Sequence, residues 1–94
     1  MEAGHLATLT DGAIAGTGTI ELSGYVFGGV DINADGTNAA VVVIRDQDAT
    51  GVILLDSSTI SGKTIFGPFR APSGKIYYSI SGTGATATLY EWKK

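Results

Sequence analysis

The sequence predicts an all-β domain, a single small antiparallel β-sandwich or flattened barrel of about seven to eight strands with a flexible N-terminal arm. Segments of strand length alternate polar with apolar residues, and turns containing Gly, Asp or Pro separate them. No segment repeats apolar residues at helical spacing. The length of 94 residues fits one domain, with an arm or edge strand over residues 1–18 and the sandwich over residues 19–94.

The first half of the chain predicts an edge segment, one strand and a central β-hairpin. Residues 6–10 alternate apolar and polar side chains and predict a short edge strand or arm, and residues 19–23 predict a half-buried strand. The apolar runs 25–32 and 39–44 flank an Asp-Gly turn at residues 35–36. An Asp-Gly dipeptide between apolar runs is a strong hairpin signal, because Gly adopts positive φ freely and Asp bonds its own backbone.

The second half predicts four further strands. Residues 52–56 form an apolar run of strand length, and residues 63–69 predict an edge strand or a bend because Pro68 cannot donate to a sheet. Residues 75–81 and 85–92 alternate most regularly, and a glycine-rich link joins them.

The predicted core consists of the larger apolar residues on one face of each strand. These residues are Leu22, Val26, Val42, Ile44, Ile53, Leu55, Phe66, Ile76, Tyr78, Ile80 and Leu89.

Charge and composition exclude several classes of function. The formal net charge is −3, and the basic residues are scattered, so no basic face for nucleic acid or an anionic membrane is predicted. The longest apolar run, residues 39–44, is far too short to span a bilayer, and the N-terminus lacks the apolar region of a signal peptide. We therefore expect a chain made in the cytoplasm without a leader.

The surface is expected to be poor in charge. Charged residues make up 16% of the chain, against about 25% in ordinary soluble domains. Either part of the surface is covered by other copies or by a partner, or Thr and Ser take the place of charged residues.

The motif D-I-N-A-D-G at residues 31–36 matches the opening of a calcium loop. In that loop the side-chain oxygens of Asp31, Asn33 and Asp35 would face one cation. The twelfth position falls on Val42, which cannot supply the required carboxylate, and the flanks predict strands rather than helices. The alternative is a turn in which these side chains cap local N–H groups.

Catalytic chemistry has no basis in the sequence. His5 is the single histidine and lies near the N-terminus, and no G-x-S-x-G motif is present. There are no cysteines for a nucleophile, a thiolate metal site or a disulfide. We predict a protein that is not an enzyme and that has no cofactor and no catalytic residues.

Outward-facing aromatic residues predict a binding surface. Tyr77, Tyr90 and Trp92 lie on strand faces opposite the predicted core, and tyrosine and tryptophan are enriched at interfaces and stack on sugars. We predict a protein interface that includes these three residues together with Leu6 and Leu9 of the arm. A sugar-stacking surface and a second buried layer of the sandwich are the alternatives.

Several motifs resemble a group of short proteins of tailed bacteriophages. Those proteins carry a DGTNAA hairpin, as at residues 35–40, and an F-x-x-P segment, as at residues 69–72. They close with an (S/T)GTGA-x-A-x-(V/L)-Y strand, as at residues 81–90. The resemblance covers roughly residues 24–90 and brings no catalytic residues.

The resemblance implies a virion structural protein, made late in infection. The expected role is a capsid decoration or cement protein, which binds the head in many copies and has the major capsid protein and other copies of itself as partners. Its arm would order on neighbouring subunits. The alternative is a tail or fibre component that acts as an adaptor or binds a host-surface glycan, with Tyr77, Tyr90 or Trp92 stacking on the sugar.

Overall fold

Eight β-strands form the protein in the computed structural model, which describes residues 4–93. The described part of the chain contains no helix, which confirms the predicted all-β class. The described residues therefore include no helix that is long and apolar enough to cross a membrane. The strands are β1 (His5–Thr8), β2 (Gly16–Glu21), β3 (Val26–Asn33), β4 (Ala40–Asp46), β5 (Ile53–Thr59), β6 (Lys63–Arg70), β7 (Lys75–Ser81) and β8 (Thr86–Lys93).

The strands pair into two antiparallel four-stranded sheets. Sheet A has the order β1-β8-β3-β6, and sheet B has the order β2-β7-β4-β5. This is the strand order of a jelly roll, in which two Greek keys form a double-sheet sandwich. Among consecutive strands only β4 and β5 pair with each other, so every other connection crosses from one sheet to the other.

The predicted central hairpin is wrong, because β3 belongs to sheet A and β4 to sheet B. The turn between them nevertheless has the local chemistry that the sequence indicates. Asp35 Oδ1 accepts hydrogen bonds from the N–H groups of Thr37 (2.8 Å) and Asn38 (2.7 Å), and Gly36 has a φ of 90°. A capped turn of this kind reverses the chain direction whether its strands pair or cross between sheets, so local signals cannot distinguish the two arrangements.

The core lies between the two sheets and contains most of the predicted residues. The predicted core residues that are buried are Val42, Ile44, Leu55, Ile76, Ile80 and Leu89. Leu22, Val26 and Tyr78 are partly buried. Ile53 and Phe66 are 46% and 53% exposed, so their assignment to the core is wrong.

A β-bulge in β3 changes which of its residues face the core. The register of β3 shifts between Phe27 and Gly29 against both of its neighbours. As a result Phe27, Val30 and Ile32 are all buried, although strict alternation would place Phe27 opposite the other two. Phe66 pairs with Gly29 and points away from the core, whereas its neighbour Ile65 packs against the core.

The N-terminal segment contributes to the sandwich from residue 4 onward. Strand β1 is an edge strand that pairs with β8. Ile14 forms an isolated bridge with Ala87, and β2 already begins at Gly16. The described part of the predicted arm therefore lies against the sheets.

Candidate binding surface

The structure separates the five residues predicted to form an interface. Leu6, Tyr90 and Trp92 lie on the outer face of sheet A, where Leu6 and Trp92 are direct partners in the β1–β8 register. Tyr77 lies on the outer face of sheet B, on the opposite side of the sandwich. Leu9 is half-buried and packs against the core. Three of the five residues therefore share one surface.

A fourth residue, Phe66, joins Leu6, Tyr90 and Trp92 on the outer face of sheet A. Phe66 and Tyr90 both pair with Gly29, which has no side chain to separate them. Their rings meet edge to face across the glycine, with centroids 5.8 Å apart. We call Leu6, Phe66, Tyr90 and Trp92 the apolar face. The sequence prediction assigned Phe66 to the core. If Ile65 is taken as the inward residue instead, alternation along β6 places Phe66 on the outer face, as the structure has it.

The remainder of this outer surface is polar. Asp31 pairs in register with Thr64 on one side and Thr88 on the other, and Asn33 pairs with Thr86. The Thr64 hydroxyl donates a hydrogen bond of 3.0 Å to Asp31 Oδ1. Sheet A therefore presents an aromatic half and a threonine-rich half to solvent.

One of the three candidate calcium ligands, Asp35, is engaged in local hydrogen bonds. Asp35 caps the β3–β4 turn through Oδ1, and its Oδ2 accepts a bond of 2.8 Å from Asn38 Nδ2. Bonds from the backbone and side chain of Asn38, followed by that from Thr37, lower the pKa of Asp35. Among residues 4–93 no group of three or more His, Cys, Asp or Glu side chains could hold a metal ion. The Asp35 side chain caps the turn, as the alternative interpretation predicts, while Asp31 and Asn33 lie on the outer face of sheet A.

A cleft of about 600 Å³ adjoins the apolar face at the end of the sandwich. Tyr25, Val26 and Trp92 supply its apolar walls, and Arg70 and Lys93 supply positive charge. The side chains of Tyr25 and Trp92 are 58% and 36% exposed. Its volume lies within the range of about 300–1,000 Å³ typical of ligand sites. The sequence pattern did not point to Arg70 or Lys93 beside Tyr25, because β6, β8 and the turn before β3 bring these three residues together from distant positions.

Hydrogen bonds fix the segment that forms one wall of the cleft. Glu91 is buried, and its Oε1 accepts bonds from Ser23 N–H (2.9 Å) and Ser23 Oγ (2.8 Å). The carbonyl of Tyr25 accepts a bond of 2.7 Å from Ala71 N–H. The wall is therefore held in place before any ligand arrives, which lowers the entropic cost of binding.

The apolar face and the cleft together offer exposed rings, apolar contact area and two cations. These groups are suited to noncovalent recognition of a protein or a ligand. Comparison of the chain with protein-family models, with curated proteins and with solved structures found no match.

Proposed function

We propose that this protein is a non-enzymatic structural protein of a bacteriophage virion, which decorates or cements the capsid in many copies. The observation that carries the proposal is the apolar face. Apolar residues that share one solvent-facing surface mark interaction sites, and aromatic residues contribute most to interface energy. The resemblance of the turn and closing-strand motifs to small proteins of tailed phages supplies the biological setting.

The position of the apolar face suits attachment to a repeating surface. Leu6 belongs to the edge strand β1, so the face continues to an edge where further backbone pairing is open to a partner. A small contact of this size binds weakly alone, but a lattice that presents many equivalent sites supplies avidity. The partners in this proposal are the major capsid protein and neighbouring copies of the chain.

The strand order also supports the proposal, as an analogy. Jelly rolls occur in viral capsid proteins, and also in lectins and cupins. Because one fold carries many functions, this argument is weaker than the one from the exposed side chains.

A tail or fibre component that binds a host-surface glycan is the second candidate. The cleft between Tyr25 and Trp92 favours it, since exposed rings with a polar rim stack on sugars. In that case Trp92→Ala should abolish glycan binding and leave the protein in the particle.

The copy number of the chain in purified phage particles tests the location. Quantitative mass spectrometry against the major capsid protein should give a count that matches the capsid lattice. A small fixed count would move the protein to the tail, and absence from the particle would exclude both candidates.

Two tyrosines on opposite sides of the sandwich test the binding face. Both are half-buried on central strands, Tyr90 on sheet A and Tyr77 on sheet B. Tyr90→Ser should weaken attachment to particles lacking the protein by about tenfold or more, as expected for an interface aromatic residue. Tyr77→Ser is the matched control and should attach normally. An equal loss in both variants would contradict the assignment of the apolar face.

A further inference from the structure

We propose that the cleft beside Trp92 binds an acidic saccharide. Its sugar rings would stack on Trp92 and Tyr25, and its carboxylate would be held by Arg70 and Lys93. The inference does not depend on capsid decoration, and it specifies a ligand class for the second candidate function.

The two rings are held against glycine residues and keep exposed surface. A Cβ atom on Gly4 would overlap the indole ring of Trp92, and one on Gly74 would lie 3.3 Å from Tyr25 Cε1. Each ring therefore rests on bare backbone on one side, while Tyr25 and Trp92 remain 58% and 36% exposed. Rings fixed in this way offer flat apolar surface at a low entropic cost, and the C–H side of a sugar ring requires such a surface.

The charge at the cleft is opposite to that of the whole chain. The formal net charge is −3, yet two of the six basic residues, Arg70 and Lys93, line this one cleft. The neighbouring carboxylate of Glu91 is buried, and its Oε1 already accepts two hydrogen bonds from Ser23. A guanidinium and an ammonium group beside exposed rings are complementary to a carboxylate on a ring-shaped ligand.

The backbone around the cleft favours a saccharide over an extended peptide. Val26 pairs with Arg70, Trp92 pairs with Leu6, and the carbonyl of Tyr25 is bonded to Ala71. A peptide added as a strand needs unpaired backbone groups, whereas β3 and β8, which carry Val26 and Trp92, are paired on both sides. Recognition in the cleft must therefore come from side chains, that is, from rings and charges.

A glycan array that presents uronic-acid and sialic-acid oligosaccharides beside their methyl esters tests the ligand class. We expect retention on acidic members and not on the esters, which have the same rings without the charge. The best acidic member is then titrated in solution. Trp92 is the single tryptophan of the chain, so its fluorescence reports directly on the cleft. Added salt should weaken binding, because the contact is between exposed charges.

Two substitutions at opposite ends of β6 test the site. Arg70→Gln should weaken binding about tenfold or more, since a charge-assisted hydrogen bond is lost. Lys63→Gln makes the same change of charge at the other end of the strand and should bind as the wild type does. Circular dichroism confirms that both variants are folded.

Three results would overturn the inference: no acidic glycan retained, equal retention of the esters, or no effect of Arg70→Gln. None of them affects capsid attachment, which is measured on particles with Tyr90→Ser and Tyr77→Ser. Failure of the saccharide site is therefore distinguishable from failure of the proposed function.

Discussion

The outer faces of the two sheets are built from the same kinds of strand and expose different chemistry. Sheet A presents the apolar face, including Phe66 at 53% exposure. On sheet B the central apolar residues Val41, Val43 and Tyr77 are half-buried, and Ile53 is exposed at the edge. The exposed polar residues around them are Thr17, Thr19, Asp56 and Ser58. Exposed aromatic residues thus collect on one side of the sandwich, and we place binding there.

The difference between the faces originates in the backbone. Sheet A contains the β3 bulge, where Gly29 leaves a gap that the rings of Phe66 and Tyr90 close. Sheet B has regular pairing between β7 and its two neighbours, and its register shift lies in the β4–β5 pair, between Ile44 and Arg45. The bulge in β3, which puts a glycine between the two rings, is therefore the structural basis of the aromatic surface. β-Bulges are common at functional positions.

The largest expected effect comes from filling that gap. In Gly29→Ala the new methyl group would overlap the carbonyl oxygen of Ile65, and the φ of 143° suits only glycine. We expect the free energy of unfolding to fall by about 3 kcal/mol or more, measured by urea denaturation. Gly24→Ala, in the turn before β3, is the control, because a methyl group there would meet no atom within 4 Å. Its cost should be about 1 kcal/mol or less. Equal costs would mean that the bulge is not rigid.

A smaller effect is expected from the buried carboxylate of sheet A. Glu91→Ala leaves Ser23 N–H without its acceptor and should lower the free energy of unfolding by about 2 kcal/mol. Faster hydrogen exchange of the Ser23 amide would locate the loss. Glu21→Ala removes an exposed carboxylate from sheet B and should change stability by less than about 0.5 kcal/mol. A similar loss in both variants would show that Glu91 has no special structural role.

The smallest effect concerns acid. Asp35 caps the turn that joins the two sheets, and Asp48 caps the hairpin turn within sheet B. Hydrogen bonds from Asn38 lower the pKa of Asp35, and those from Thr50 lower the pKa of Asp48, both from an ordinary value of 3.8. Because these pKa values are depressed in the folded state, the stabilisation is present above about pH 4 and is lost as the pH falls through the folded pKa.

Carboxyl NMR titration should therefore give midpoints below 3.8 for both residues. The difference in melting temperature between the wild type and Asp35→Asn should shrink on acidification. Asp48→Asn should disturb only amides near residue 50, whereas Asp35→Asn should disturb amides of both β3 and β4. A midpoint at or above 3.8 would contradict the capping geometry.

Sequence alternation predicts the strands of this protein and does not predict their partners. Alternation is a local property, so all eight strands lie where polar and apolar residues alternate or apolar runs occur. Whether the Asp35-Gly36 turn closes a hairpin or crosses to the other sheet depends on packing between distant segments, which no local pattern records. The bulge at Gly29 likewise changes which side chains of β3 face inward partway along the strand. The predicted core therefore contains Val26, which is only partly buried, and lacks Phe27, which is fully buried.

The candidate surface is predictable in part for the same reason. The regular alternation of β8 predicts that Tyr90 and Trp92 lie on the same outward face. Phe66 and Arg70 depend on the pairing of β6 with β3, and Tyr25 depends on the turn that precedes β3. A pattern within one strand cannot show that these segments meet.

The topology has a consequence for the order of folding. Strands β4 and β5 are the only consecutive strands that pair, so sheet B contains a local unit that closes a short loop. Every pairing in sheet A joins segments far apart in the chain, and such contacts form slowly. Pulse-labelled hydrogen exchange should therefore show β4 and β5 protected before β1 and β8. The proposed binding face, which includes the β1–β8 pair, then forms late, so a partly folded chain would lack the surface that binds in the proposed function.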